Sequence, residues 1–206
     1  LQAVEWGEFR LGDLFEKVKV KSLKYKASEL PGKPEREFIL PALTAGIQNQ
    51  GLNNYVPVEN ATILRNLISI SANGANTGAT FFQNKEFTVL QDAYAIRYIF
   101  SEDILTENQH LFLTGSVAKA IYGNYEWTNK AGWERIKSKK IHIPIKNGKI
   151  DFAFMERFIA ELEAERLEEL EVYLRATGLT NYDLSPEELQ VLAGFDDLKF
   201  EAFKVV

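Results

Sequence analysis

Chemistry in this chain is concentrated where cations, amides and aromatic rings stand together between apolar runs. Lys17, Lys19, Lys21, Lys24, Tyr25 and Lys26 form a basic stretch with one aromatic. Ammonium groups so placed suit phosphate oxygens, and the same residues read equally as the solvated face of an amphipathic strand pair. Thr44, Gln48, Asn49, Gln50, Asn53 and Asn54 surround Gly46 and Gly51. Side-chain amides pair with adenine edges, as Arg and Lys pair with guanine, although amides also favour turns for purely local reasons. Asn73-Gly74-Ala75-Asn76-Thr77-Gly78 combines glycines that allow close backbone approach with amides and a hydroxyl. It is not a phosphate-binding P-loop, because Ala79-Thr80 follows where Lys and Ser/Thr are required, and a structural turn competes with contact there. Gly123-Asn124-Tyr125-Glu126-Trp127-Thr128-Asn129-Lys130, with Arg135, Lys137, Lys139 and Lys140, is a second basic zone and the first choice for contact with a nucleic acid. The resulting contact set is Lys21, Lys24, Tyr25, Lys26, Gln48, Asn49, Asn73, Asn76, Thr77, Asn124, Tyr125, Lys130, Arg135 and Lys137.

Enzymatic patterns are poorer. Ser116-Val117-Ala118-Lys119 has the Ser-x-x-Lys form of penicillin-recognising acyl transferases, but the companion Ser-Asp-Asn and Lys-Thr-Gly motifs are missing. His110 and His142 sit in no His-Glu-x-x-His pattern, no Ser–His–Asp set can be nominated, and no Asn/Asp-Pro-Pro-aromatic methyltransferase signature occurs. No catalytic residue, metal ligand or cofactor is therefore expected.

These residues need a scaffold of strands and helices to place them. Short apolar runs separated by Gly, Asn and Thr predict strands at Glu37–Ala42, Asn66–Ala72, Ala79–Phe82, Ala93–Tyr98 and Lys140–Ile145. In the last, alternation puts His142 on the face opposite the isoleucines, and Pro144 predicts an edge strand or strand end. A helix from about Glu102 to Tyr122, broken near Gly115, uses Leu111, Phe112, Val117, Ala118 and Ile121 as its apolar face. After the Asn147-Gly148 turn, Asp151 can cap a long helix running to Ala176 and stopping at Gly178. Met155, Phe158, Ile159, Leu162, Leu170, Tyr173 and Leu174 recur at helical spacing, with Glu161, Glu165, Glu168 and Glu169 filling much of the rest. Phe158, Leu162, Leu170 and Leu174 are the candidates for pairing with another helix. Ser185-Pro186-Glu187-Glu188 opens a short helix with a capping box. The expectation is an α+β fold: a globular domain at 1–150, a long protruding helix at 151–178, and a short helix at 179–206 leading into a second repeat.

That repeat is argued from the chain ends, where Trp6-Gly7-Glu8-Phe9-Arg10-Leu11 and Phe200-Glu201-Ala202-Phe203-Lys204-Val205 share aromatic, Phe, basic and aliphatic positions in one order. The chain starts at Leu1 rather than Met, in keeping with a longer parent.

Composition narrows the class. With 206 residues and 46% hydrophobic content the chain can bury a core, and with no cysteine it excludes disulfides, thiolate nucleophiles and cysteine-bound metals. Neither a membrane span nor a signal peptide is legible, so a cytoplasmic setting without membrane contact is expected. The net charge of −5 hides a division: residues 1–150 hold 19 Lys+Arg against 15 Asp+Glu, and residues 151–206 hold 5 against 14. The front part can face phosphates; the acidic back part cannot.

Four blocks together resemble the specificity subunit of type I restriction-modification systems and its type IIB relatives. These are WGEFRLGDLFEKV (6–18), LPALTAGIQNQGL (40–52), SISANGANTGATFFQNKEFTVLQDAYAIR (69–97), and IKSKKIHIPI (136–145) with IDFAFMERFIAELEAE (150–165). The resemblance implies a target-recognition domain reading half of a split double-stranded DNA site, followed by a spacer helix. It implies DNA adenine methyltransferase subunits and, through the complex, a restriction subunit as partners, with catalysis left to them. An isolated unit would form a homodimer through its long helix. The rival reading is a non-enzymatic scaffold that binds partners through that helix.

Overall fold

Strand alternation decides which side chains meet. A computed structural model describes residues 4–100, 105–179 and 184–194. The described residues divide into two compact units, one ending at Glu161 and the other starting at Leu162.

In the first unit, β1 (Glu5–Arg10) pairs antiparallel with β9 (Lys140–Lys146), which also pairs with the short β10 (Lys149–Ile150). A second sheet has the order β2 (Phe15–Lys17), β8 (Ala93–Tyr98), β5 (Leu67–Ser71), β6 (Thr80–Gln83). A third places β3 (Phe38–Leu43) between β4 (Leu52–Pro57) and β7 (Thr88–Val89). Tyr94 and Ile96 on β8, with Ile68 and Ile70 on β5, join the main core, while Ala95 turns to the opposite face and packs with Leu43, Phe87 and Val89. One strand thus serves two hydrophobic layers, which is why Tyr94, Ala95 and Ile96 are buried in succession before the exposed Arg97.

The main core is closed by α1 (Leu11–Leu14), α2 (Glu107–Ile121), α3 (Trp133–Ile136) and the start of α4 (Phe152–Ala176), through Leu11, Leu113, Val117, Ile136 and Met155. Helix α2 starts with a Thr106 capping box, whose hydroxyl oxygen accepts from Gln109 N at 3.2 Å. It runs unbroken through Gly115, a correction to the expected interruption: a Cβ there would meet nothing within 4 Å, so this glycine answers no packing need. Leu113 rather than Leu111 is the fully buried leucine of this helix. The expected residues 102–104 lie outside the described residues.

Asp151 caps α4 as expected, its Oδ1 accepting from Phe154 N at 2.9 Å. Glu156 then ties α4 to the start of α2 by accepting from Asn108 Nδ2 at 2.8 Å and from the Thr106 hydroxyl. Pro144 lies inside β9, the middle strand of its sheet, which corrects the expected edge strand or strand end. Its carbonyl accepts from Asp151 N at 2.9 Å just past the end of β10, and its ring nitrogen, on that same side, owes no donor because the Asp151 carbonyl accepts from Met155 N in α4. His142 is exposed beside Glu8, opposite the buried Ile141 and Ile143.

In the second unit α4 continues to Ala176, and Gly178 stops it with φ +73. Helix α5 (Pro186–Ala193) carries the Ser185 capping box, with Ser185 Oγ accepting from Glu188 N at 3.2 Å. The Phe200–Val205 similarity falls outside the described residues.

Candidate nucleic-acid interface

The second basic zone becomes a loop leaving the end of α2. Asn124 closes that helix, donating from Nδ2 to the Ala120 carbonyl at 3.0 Å. Glu126 and Asn129 then exchange backbone hydrogen bonds, each 3.1 Å, which leaves Trp127 and Thr128 at the tip of a tight turn. The loop returns to the core at Ala131, which is fully buried. There its N–H donates to Thr77 Oγ1 at 3.0 Å and its carbonyl accepts from the Tyr94 hydroxyl at 2.8 Å. Burial pushes the Tyr94 phenol well above its usual range, so it stays a neutral donor.

The turn holding Thr77 is fixed against the same helix end. Gly78 has φ +89, and a Cβ on it would lie 3.1 Å from the Ile121 carbonyl oxygen. Only glycine meets both conditions without strain. The Asn73-to-Gly78 block and the Gly123-to-Lys130 block are therefore one substructure, although about fifty residues of chain separate them.

Around this loop the cations stand over rings. Lys130 Nζ is 5.7 Å from the Trp127 ring, Lys139 Nζ 5.6 Å from Tyr125, and Lys17 Nζ 5.2 Å from Tyr94. Lys17, Thr128, Lys130, Trp133 and Arg135 line a cleft of about 360 Å³. Arg135 donates to Asn129 Oδ1 at 2.9 Å, which orients its guanidinium. Among the described residues neither Lys17 nor Lys130 joins an ion pair, whereas Glu134 of the same cleft is engaged by Lys137. The cleft is cationic at neutral pH, with donors available for phosphate or base acceptors. Burial raises the Tyr125 phenol, against the opposing pull of Arg135.

The expected contact residues separate by environment. Lys130 and Arg135 are brought together, with Tyr125 beside them. Thr77 is a correction: it is buried and its hydroxyl is occupied by Ala131, so it braces the loop and is not free to touch a ligand. Asn73 donates to Asp92 Oδ1 at 2.7 Å, Asn124 is a helix cap, and Lys137 is paired, so each is engaged within the fold. Asn76 is partly exposed in the same turn.

Lys21, Lys24, Tyr25, Lys26, Gln48 and Asn49 belong elsewhere, beside the β3–β4 sheet. They are exposed, but Lys21 to Lys26 form no strand. Tyr25 packs edge-on against Phe38 at 6.0 Å, and Asn54 Nδ2 holds the adjoining 3₁₀ turn through the Ala27 carbonyl at 2.9 Å. Gln48 starts a turn in which Asn49 and Gln50 take left-handed backbone angles. The contact candidates thus fall into two groups on different elements.

Lys17, Trp127 and Thr128 stood in the two basic zones of the sequence but outside its contact set, and Tyr94 was not singled out at all. Lys17 joins the cleft because β2 pairs it with Ile96, a long-range registration that local spacing does not reveal. Ser116 Oγ donates to the Phe112 carbonyl at 3.1 Å, as a helical serine commonly does. Among the described residues no group of three or more His, Cys, Asp and Glu is placed to hold a metal, and no helix is long and apolar enough to cross a membrane.

Of the pairing candidates, Phe158 is engaged inside the first unit, 5.6 Å from Phe112 and 5.9 Å from Phe154. Leu162 and Leu170 are exposed and Leu174 half-buried.

Known structures share this architecture. The type I restriction-modification S subunit from M. genitalium matches with a TM-score of 0.54 and 18% identity, over 84% of this chain and 43% of that one. The HsdS subunit from Thermoanaerobacter tengcongensis matches with a TM-score of 0.52 and 14% identity, over 83% and 39%. A chain solved in work on assembly and conformational transition of the type I restriction-modification system matches at 0.50 and 15%, over 92% and 45%. The present chain spans less than half the length of each. No curated protein sequence matches. Residues 3–172 match the family described as the type I restriction modification DNA specificity domain, and the chain belongs to that family.

Proposed function

We propose that this chain recognises a specific sequence in double-stranded DNA as the specificity subunit, or half-subunit, of a type I restriction-modification complex. What supports the reading is the cleft of Lys17, Lys130 and Arg135 beside the Trp127–Thr128 tip, carried on a chain of the DNA specificity family. Unpaired cations there can neutralise phosphates, while side-chain donors held by second hydrogen bonds can discriminate base edges. Residues 1–150 act as the recognition domain, 151–178 as a spacer helix, and 179–206 as the lead into a second repeat. DNA adenine methyltransferase subunits and, through the complex, a restriction subunit are the partners; they carry the catalysis, in the cytoplasm. A second copy of the chain can pair through α4.

The test is selection from a random duplex library by the full chain, with and without a methyltransferase subunit. Enrichment of a defined half-site is expected. A scaffold without DNA function would enrich nothing under either condition.

A further inference from the structure

We propose that Trp127 is a base-contacting residue whose indole enters a DNA groove and wedges into a base step that opens to expose a base face, giving the site a salt-independent contribution that the surrounding cations cannot. The proposal rests on the DNA-recognition reading and names its mode of contact.

A single exposed hydrophobic side chain is ordinary, so exposure alone argues little. Trp127 differs in how it is held. The reciprocal Glu126–Asn129 backbone bonds fix the turn, Thr128 Oγ1 donates to Glu126 Oε1 at 2.9 Å, and Asn129 accepts from Arg135. The tip is ordered before any ligand arrives, which lowers the entropy lost on binding. At its foot, Ala131 is locked through both backbone groups by Thr77 and Tyr94.

Trp127 is 67% exposed, and among the described residues no aromatic side chain packs against it. Trp6, which is 50% exposed, instead stacks on Phe112 at 6.4 Å and meets Phe154 edge-on at 6.3 Å. Trp127 has the Lys130 ammonium 5.7 Å from its ring. A rigid aromatic with an adjacent unpaired cation suits a base face next to a phosphate. A two-residue tip is also narrow enough to enter a groove that a helix could not.

The experiment compares the full wild-type chain with Trp127→Ala and Trp127→Phe. The probe is a fluorescein-labelled duplex carrying the site that the wild type enriches from a random library, titrated across a salt series. A second set of duplexes carries 2-aminopurine at successive positions. Trp127→Ala is expected to weaken binding roughly 10- to 100-fold, the range for removal of one base–aromatic stack, with the salt slope unchanged. Trp127→Phe should retain most of the affinity. One 2-aminopurine position should change emission with the wild type and not with Trp127→Ala. Equal binding by Trp127→Ala and wild type overturns the proposal, as does a salt slope lowered by about one phosphate, which would mean that the ring only positions Lys130. If the wild type binds no duplex, the recognition reading itself fails and this proposal falls with it.

Discussion

At the scale of single residues, the loop beside the cleft is held by groups inside the core. Thr77 and Tyr94 fasten Ala131 inside the core. Replacing Thr77 with Val keeps the shape but leaves the Ala131 N–H buried without an acceptor, and should lower unfolding free energy by about 1–3 kcal/mol in a denaturant titration. An unchanged midpoint would remove Thr77 from that role. His110 carries a pH dependence. Its ring stacks on Phe82 at 4.7 Å, and its Nδ1–H donates to the Thr106 carbonyl at 2.9 Å. Burial holds this imidazole below its ordinary value of 6.5, although backbone carbonyl contacts oppose the shift. The unfolded chain therefore takes up the proton first as pH falls. The contribution is complete above pH 6.5 and declines from there toward the lowered folded value. Stability measured across that window should fall with pH in the wild type and fall less in His110→Phe; parallel curves would assign the slope to other groups. Neither role shows in local sequence, because Thr77 finds its partner 54 positions away and the histidine lacks any motif.

Among the elements, strong local periodicity was the most legible. Ala93–Tyr98, the Asp151 and Ser185 caps and the Gly178 stop follow from side-chain chemistry that acts within a few residues, and the structure places each where the sequence does. Strand β4 went unread because Asn53, Asn54 and Pro57 look like turn residues. Asn54 Nδ2 instead donates to the Ala27 carbonyl, 27 positions away, while Asn53 Nδ2 donates locally, to the Gly51 carbonyl two residues back. Short β7 exists only through pairing with the distant β3, and the two-residue β10 is the return arm of the hairpin that Asn147-Gly148 turns back on β9. Helix α4 has a legible phase, but not a legible partner. Leu162 is 39% and Leu170 51% exposed, a lasting apolar cost unless another helix covers them. Changing both to Asp should alter sedimentation of the full chain while the melting of the globular unit stays within about 0.5 kcal/mol, as for surface sites. Unchanged sedimentation would count against pairing through this face.

For the whole molecule, the division of charge was visible from the sequence, whereas the grouping of the cations was not. Net charge says that residues 1–150 can approach phosphate and residues 151–206 cannot. It does not say that Lys17 and Lys130 line one cleft while Lys24 and Lys26 stand by another sheet, since that follows from registers such as Lys17 with Ile96. The proposed recognition of DNA rests on the cleft of Lys17, Lys130 and Arg135. Its most direct test is the salt dependence of affinity for the selected duplex, measured for the wild type and for a Lys17→Ala, Lys130→Ala, Arg135→Ala variant. With phosphates bound in the cleft, affinity should fall steeply with salt, and the variant's slope should be shallower by about 0.9 for each phosphate it no longer neutralises. Identical slopes and affinities for the two proteins would contradict a DNA interface at this cleft.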